Sequence, residues 1–544
     1  MNHNNSYKEK WGIIGMVENI GGEEGGRVLG RDAQRNNILA ARVVAETVKT
    51  TLGPKGMDKM LVDRVGNITV TNDGVTILSE MEIEHPAAKM IVEIAKTQEE
   101  EVGDGTTTAV MLAGKFLENA EKLLDMKIHP TIITRGYRWA EEKAQAILKD
   151  LAVEIDSKEE LAKIAQTAMT GKGAEYLKEK FSDIVVEAIE TVSEKAKVNL
   201  DNIKIEKQKG GALEDTELIK GIVLDKERLS LDMPTRIDDA RIALIEEALE
   251  IKGPETDTKI SISSPDQFTS FLNQEDAMLK AKVDAIKNSG ANVLFVQKGV
   301  DELVQYYLAK AGIYAVRRVA KSDIQSLAKA TGARIVSKLS EIGGDDLGYA
   351  SYVEERKDGE EGMTYIMGCK NPKALTILIR GGTDHVIDEV ERAIMDALGD
   401  VAATLRDSKV VAGGGAVEIE LCKRLIDFAS TLKGRERLAV EEFAKALEFV
   451  PTTLAENAGM DPIDVLTELR ASHDANNRNA GLNLFTGRVE DTLMKGIIEP
   501  LKVKTQAIAS ASEVAIMILR IDDVIAAKKS QGNSGKLGNM SGFE

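Results

Sequence analysis

At 544 residues, 43% hydrophobic, 29% charged and only 4% aromatic, the chain has the balance of a globular protein of about three or four domains with aliphatic cores. A formal net charge of −18 argues against a general nucleic-acid or anionic-membrane binder, since both need basic surface to meet phosphates. Two distant cysteines (Cys369, Cys422), five scattered histidines and no apolar run of about 18 residues offer no disulfide framework, zinc site or membrane span, so a cytoplasmic protein is expected.

The first 30 residues are polar and rich in glycine and glutamate, without the apolar core and cleavage site of a secretory signal. They read as a mobile arm, with Met16 an alternative start. Over residues 32–52, Ile38, Ala41, Val44, Ala45, Val48 and Leu52 recur at helical spacing, and Gly53-Pro54-Lys55-Gly56 ends the pattern. Met60-Leu61-Val62 suits a strand, and residues 67–70 and 75–78 read as short strands around an Asn72-Asp73-Gly74 turn. Helical patterns cover residues 86–101, 106–126 and 130–153.

The middle of the chain differs. Ser264, Pro265 and Gln267 have the form of a capping box opening a long helix that carries Phe268, Phe271, Leu272, Leu279, Val283 and Ile286. Strand patterns at 292–296, 313–316 and 333–336 alternate with helical ones at 301–310 and 323–330, which implies a parallel α/β domain. Helical patterns return after residue 439, the longest over 505–526, before a Gly/Ser/Asn-rich tail from 529 to 544. An α-rich start and end therefore enclose an α/β insert.

Gly103-Asp104-Gly105-Thr106-Thr107-Thr108 holds the densest chemistry. Two glycines allow close backbone approach to an anion, a helix N-terminus follows, and Asp104 is a hard oxygen ligand suited to magnesium. The plain alternative is a helix cap with a threonine-rich first turn. No Gly-x-x-x-x-Gly-Lys-Ser/Thr motif occurs. Leu52-Gly53-Pro54 is either a second phosphate-facing turn or a helix stop, and Gly413-Gly414-Gly415, between a valine-rich strand and a helix, is either a nucleotide contact or a connector. Asp63 follows an apolar run, where it would orient water or remain solvated. Asp396 lies four residues after Arg392, the spacing of a surface ion pair. Lys172 stands between glycines, while Asn483 and Glu499 sit in turn-like segments able to hold a base or ribose.

In sequence order these pieces resemble a chaperonin subunit. The resemblance runs through Leu52-Gly53-Pro54-Lys55-Gly56-Met57-Asp58-Lys59-Met60, Asn72-Asp73-Gly74-Val75-Thr76-Ile77 and Gly103-Asp104-Gly105-Thr106-Thr107-Thr108-Ala109. It continues in Glu391-Arg392-Ala393-Ile394-Met395-Asp396-Ala397, Gly413-Gly414-Gly415, Glu456-Asn457-Ala458-Gly459 and Lys502-Val503-Lys504-Thr505-Gln506-Ala507. It extends from about residue 30 to 528, and His85-Pro86-Ala87-Ala88-Lys89 with the insert near Ser264 is similar to the group II branch.

The resemblance implies a multidomain α and α/β fold. A mainly α equatorial domain would take residues 1–157 and 411–544, a small α/β intermediate domain 158–226 and 378–410, and an α/β apical domain 227–377 with a helical lid protrusion near 252–290. It implies an ATPase that encloses and folds non-native polypeptides in two stacked rings of about eight or nine subunits each, some of them paralogous, with ATP and Mg²⁺ as cofactors and no nucleic acid or membrane as partner. By the same resemblance Leu52, Gly53, Pro54, Gly105, Thr106, Thr107 and Thr108 would cradle phosphates and Asp104 would hold the metal. Asp63 and Asp396 would position the attacking water, Gly413, Gly414, Asn483 and Glu499 would contact the nucleotide, and Lys172 would sense the terminal phosphate. Asp396 would be swung in by domain closure after ATP binds. A ring-forming holdase with little turnover and a small-molecule kinase are the competing readings. The glycine-rich arm and a tail without Gly-Gly-Met repeats depart from the family pattern.

Overall fold

The computed structural model describes residues 27–155, 157–173, 175–193, 198–251, 264–358, 361–369 and 373–525. Most of the predicted arm, the tail and residues 252–263 of the predicted protrusion lie outside the described residues. The chain forms two compact units. One comprises Met1–Ala152, Ala412–Leu493 and Val503–Glu544, and the other Val153–Val411 and Met494–Lys502.

The first unit is a helical assembly around the helix Thr106–Asp125. That helix is buried on most of its circumference, from Thr106 and Ala109 through Met111, Phe116 and Leu123, as a central core helix must be. Helices Gly30–Lys49, Pro86–Glu101 and Glu436–Leu447 pack on it. In a chain so poor in aromatics, three rings meet at one point. Phe116 stacks on Phe443 with centroids 4.2 Å apart, Tyr137 meets both edge-on, and its hydroxyl donates to the Phe116 carbonyl at 2.7 Å. Lys59–Val62 and Ile68–Thr71 form an antiparallel hairpin, and Arg27–Leu29 pairs with Asp523–Ile525.

Two sequence expectations need correction here. Residues 75–78 are not a strand but part of the helix Gly74–Glu80. The Val-Thr-Ile-Leu run has strand propensity, yet the Asp73 carboxylate accepts from the backbone N–H groups of Val75 and Thr76 and so starts a helix. The last long helix runs Leu501–Leu519, and the chain beyond it is extended to pair with Arg27–Leu29.

The second unit holds three sheets. The largest orders Tyr314–Val316, Val293–Val296, Arg236–Ile245, Gly348–Asp358, Glu361–Met367 and Gly221–Leu224, with Ile335–Val336 also paired to Arg236–Ile245. Its parallel part alternates with the helices Glu302–Lys310 and Lys321–Thr331, as the sequence predicts, whereas the other part is antiparallel. One core contains Ile242, Phe295, Tyr314 and Ile324, and another contains Ala243, Leu294, Val304 and Leu279. The helix Pro265–Ser289 begins where Ser264 Oγ accepts from the N–H of Gln267. A three-stranded sheet of Ile203–Lys209, Leu375–Gly381 and Glu217–Ile219 accompanies the helices Lys158–Met169, Lys178–Val192 and Asp384–Asp407. Val153–Glu154, Lys409–Ala412 and Ile498–Pro500 make the third sheet.

The aromatic cluster makes a direct prediction. Phe443→Ala should lower the stability of the first unit by about 3–5 kcal/mol, read as a fall in the thermal unfolding midpoint. An unchanged midpoint would contradict this packing.

Candidate functional site

In the first unit, the Gly103–Thr108 segment is held by a residue the sequence reading passed over. Gln98 is fully buried near the end of the helix Pro86–Glu101. Its Nε2 donates to the Asp104 carbonyl at 2.8 Å and to the Val503 carbonyl at 3.3 Å. Gly105 then has φ +79°, and a Cβ there would stand 2.7 Å from Val503 Cγ1 and 3.1 Å from Gln98 Nε2. Both conformation and space therefore require glycine.

The helix after Gly105 has no side-chain cap, and its first internal bond runs from Ala109 N–H to the Gly105 carbonyl. The N–H groups of Thr106, Thr107 and Thr108 are thus the orphan donors of a helix start. The Asp104 carboxylate meets no donor among the described residues. A plain helix cap would engage a side chain, so this geometry favours an external anion and cation. Among the described residues no cluster of three or more His, Cys, Asp or Glu could cage a metal. One carboxylate beside a phosphate cradle is nevertheless the donor set that Mg²⁺ uses when substrate phosphates supply the remaining oxygens.

A second helix start faces the first. A Cβ on Gly74 would lie 2.7 Å from Thr107 Oγ1 and 3.2 Å from Thr107 N, so the N-termini of Gly74–Glu80 and Thr106–Asp125 adjoin. Their partial positive charges add at this point. Asp73 caps the shorter helix and is thereby held beside the threonine turn.

Asp63 stands elsewhere, at the exposed tip of the Lys59–Val62/Ile68–Thr71 hairpin. Its carboxylate accepts from Val65 N–H at 2.8 Å, Asn67 N–H at 2.8 Å and Asn67 Nδ2 at 2.7 Å. The Asn67 backbone bond above all, with the Asn67 amide and the Val65 N–H, holds the carboxyl below its ordinary range. Those oxygens are occupied by their own turn.

The Leu52-Gly53-Pro54 turn is fixed from the opposite end of the chain. Asn457 Nδ2 donates to the carbonyls of Lys49 (3.1 Å) and Leu52 (2.9 Å), and a Cβ on Gly53 would collide with Leu454 at 2.4 Å. At the triple glycine, Gly414 has φ +66°, and a Cβ there would be 2.6 Å from the Leu482 carbonyl. Leu482 N–H donates to the Gly414 carbonyl at 2.8 Å, while Thr492 Oγ1 donates to that of Gly413 at 3.0 Å. These glycines therefore serve a backbone-on-backbone approach, and Gly415 opens the uncapped helix Ala416–Thr431. Asn483 ends the strand that leans on them. Its Oδ1 accepts from Phe485 N–H at 3.0 Å and its Nδ2 donates to Glu490 at 2.5 Å, so the amide side chain organises a hairpin turn.

Lys172, Asp396 and Glu499 belong to the second unit. Asp396 is buried on the helix Asp384–Asp407, where its Oδ2 forms an ion pair with Lys172 Nζ from the loop after Lys158–Met169. The helix face bearing Asp396 packs inside the unit, and Arg392 bonds Glu389 at 2.9 Å. The four-residue spacing to Arg392 predicts a surface position for Asp396, whereas the residue is buried and its carboxylate meets Lys172, 224 positions away. Glu499 is half-buried in the strand Ile498–Pro500.

A helix start with free N–H groups beside a carboxylate that meets no donor among the described residues, in a helical unit whose chain is interrupted by an α/β insertion, has the chemistry suited to an anion in a multidomain protein. Residues 44–529 match the TCP-1/cpn60 chaperonin family. A thermosome subunit of Methanopyrus kandleri is 60% identical over 509 residues, covering 92% of this chain and 93% of that protein. The thermosome subunits alpha and beta of Archaeoglobus fulgidus are 59% and 58% identical, with 95% and 94% of this chain covered and 96% of each of theirs. The chain belongs to the chaperonin family and is an ATP-hydrolysing molecular chaperone that acts in protein folding.

One substitution tests the glycine turn. Gly414→Ala combines a left-handed φ with a backbone collision and should cost about 1–3 kcal/mol, lowering the unfolding midpoint and raising KM for ATP. If neither quantity moved, the approach of Leu482 to the turn would not matter.

Proposed function

We propose that the chain is a thermosome-type subunit whose first unit binds Mg-ATP at the Gly105 helix start, and that hydrolysis drives enclosure of non-native polypeptides. The observation that carries this reading is the uncapped Thr106–Asp125 helix beside the unpartnered Asp104 carboxylate. The N–H groups and hydroxyls of Thr106, Thr107 and Thr108 donate to the phosphate oxygens, Gly105 allows close approach, and Asp104 holds the metal. The turns at Leu52-Gly53-Pro54 and Gly413-Gly414 offer backbone to the rest of the nucleotide. Magnesium, when bound, offsets charge on the phosphates.

For the carboxylate that orients water, Asp73 is a better candidate than Asp63. Both carboxylates accept from N–H groups of their own turns, but Asp73 is fixed beside Thr107 by its helix cap, whereas Asp63 stands at an exposed hairpin tip. Asp396 is the second such carboxylate, and its pairing with Lys172 supports the reading that these two respond together to the terminal phosphate. Asn483 and Glu499 complete the nucleotide contacts, with Asn483 acting through its backbone because its side-chain amide is engaged.

Assembly follows the relatives, which are named as subunits and occur as paralogous alpha and beta chains in one organism. We assign this chain to a cytoplasmic double ring of about eight or nine subunits per ring, alone or with a paralogue. The described part of the expected protrusion, residues 264–290, is read as the built-in lid. In support, the helix Pro265–Ser289 leaves Phe268, Phe271, Leu272 and Met278 exposed, and only its later turns bury Leu279, Val283 and Ile286. No described helix is long and apolar enough to cross a membrane.

Asp396→Ala should still bind ATP while hydrolysing it about 100-fold more slowly. Asp73→Ala should lose turnover comparably, and Asp63→Ala should do so far less. Turnover that survives Asp73→Ala but not Asp63→Ala would reverse that assignment. Electron microscopy with and without ATP counts the subunits and shows whether the ring ends close; a monomer in ATP would refute the chamber.

A further inference from the structure

Behind the triple glycine, within the first unit, one histidine has acceptors at both ring nitrogens. His473 closes the helix Pro462–Asp474 with its side chain fully buried. Nδ1 lies 2.8 Å from Glu420 Oε2, and Nε2 lies 2.8 Å from the Ala480 carbonyl oxygen. A carbonyl can only accept, so Nε2 must carry a proton. The contact at Nδ1 needs a second proton, either on the ring or on Glu420.

The surroundings decide between them. Glu420 Oε1 accepts from Arg424 Nε at 2.7 Å, and Arg424 in turn reaches Asp150 at 2.6 Å. Burial pushes the Glu420 carboxyl up, but the bonds from His473 and Arg424 more than reverse this and hold it below its ordinary range. A carboxylate with an arginine on one oxygen remains ionised, so the proton belongs to the ring. Lys423, which donates to the His473 carbonyl, and Asp474, 3.6 Å from it, are further charged side chains at this helix end.

The two bonds join parts that meet again at the glycine turn. Glu420 is on the helix Ala416–Thr431, which Gly415 opens. Ala480 opens the strand whose next two residues press on Gly413 and Gly414. We propose that His473 is a buried imidazolium and a positioning residue for nucleotide binding, clamping the Ala480–Asn483 strand onto the Gly413–Gly415 turn. It touches no substrate, and its role rests on the reading of Gly413 and Gly414 as nucleotide contacts.

The assembled protein can be labelled with ¹⁵N-histidine and studied by solid-state NMR at neutral pH. His473, assigned by subtraction of the His473→Gln spectrum, should show two protonated ring nitrogens; one bare nitrogen would overturn the proposal. In ATPase assays His473→Gln keeps a single donor and should raise KM for ATP about tenfold, with kcat changed less. If that variant does not assemble, Glu420→Gln supplies the subtraction, and it should cause the same rise in KM together with loss of the second ring proton. A folded, assembled variant with wild-type KM would overturn the positioning role. Asp104→Ala separates this inference from the reading beneath it. An unchanged KM there would defeat the nucleotide site itself, whereas a raised KM beside a normal His473→Gln would defeat only the clamp.

Discussion

Everything at the candidate site depends on chain segments meeting where there is no room for a Cβ. Gly105 lies against Val503 and Gln98, and Gly414 against the Leu482 carbonyl. Each glycine sits at or beside the start of a helix that has no side-chain cap. An uncapped start leaves donors unsatisfied, which is a cost to the folded chain unless water or a ligand takes them. The close approach leaves only a narrow choice of what can fill that space. A phosphate offers several acceptors in a small volume, and it adds the charge that a helix N-terminus favours. The same economy explains why Asp104 is left without a partner among the described residues while the buried carboxylates of the first unit are paired.

Those pairings are the second layer of the site. In a chain with a net charge of −18, three buried carboxylates of the first unit each hold a cation. Glu418 meets Lys504 at 2.8 Å, Glu448 takes both ends of the Arg470 fork, and Glu420 lies between His473 and Arg424. Removing one partner of such a pair typically costs about 3–5 kcal/mol, because the remaining charge stays buried. Glu418 and Glu420 stand in the first turns after Gly415, and Lys504 is next to the Val503 that fills the space beside Gly105. The network therefore fixes the two glycine turns to the same scaffold. It stabilises their geometry more than it adds net stability.

Local signals in the sequence were reliable where local physics decides. Helix bounds followed from proline and glycine punctuation, so Pro86–Glu101 was legible to the residue. The parallel part of the large sheet was legible from strand–helix alternation, but the antiparallel part was not, because Gly348–Asp358 and Glu361–Met367 lack a distinctive spacing. Asp73 was visible as a turn residue, yet its neighbours' strand propensity hid the helix it caps. Asp396 read as half of a surface pair because spacing along one helix says nothing about the helix packed across from it. Gln98 left no signal at all, since an amide that ties its own neighbourhood to a carbonyl 405 residues away exists only in three dimensions.

The second unit shows a different use of the same hydrophobic force. In Pro265–Ser289, Leu279, Val283 and Ile286 are spaced to bury one stripe against the sheet, and the helix could have ended there. Its earlier turns instead expose Phe268, Phe271, Leu272 and Met278. Fully burying a side chain of this size is worth roughly 1.5–3 kcal/mol, so leaving four of them about half exposed forgoes roughly 3–6 kcal/mol, a sizeable share of a domain's whole stability. Such a surface is favourable only if something apolar covers it in use. A non-native polypeptide offers apolar surface without a fixed sequence, and aromatic, aliphatic and thioether groups on one helix suit such a partner because none demands a particular hydrogen bond. If such a partner is held here, recognition needs no specificity, which separates it physically from the glycine turns, where a single added methyl group would not fit.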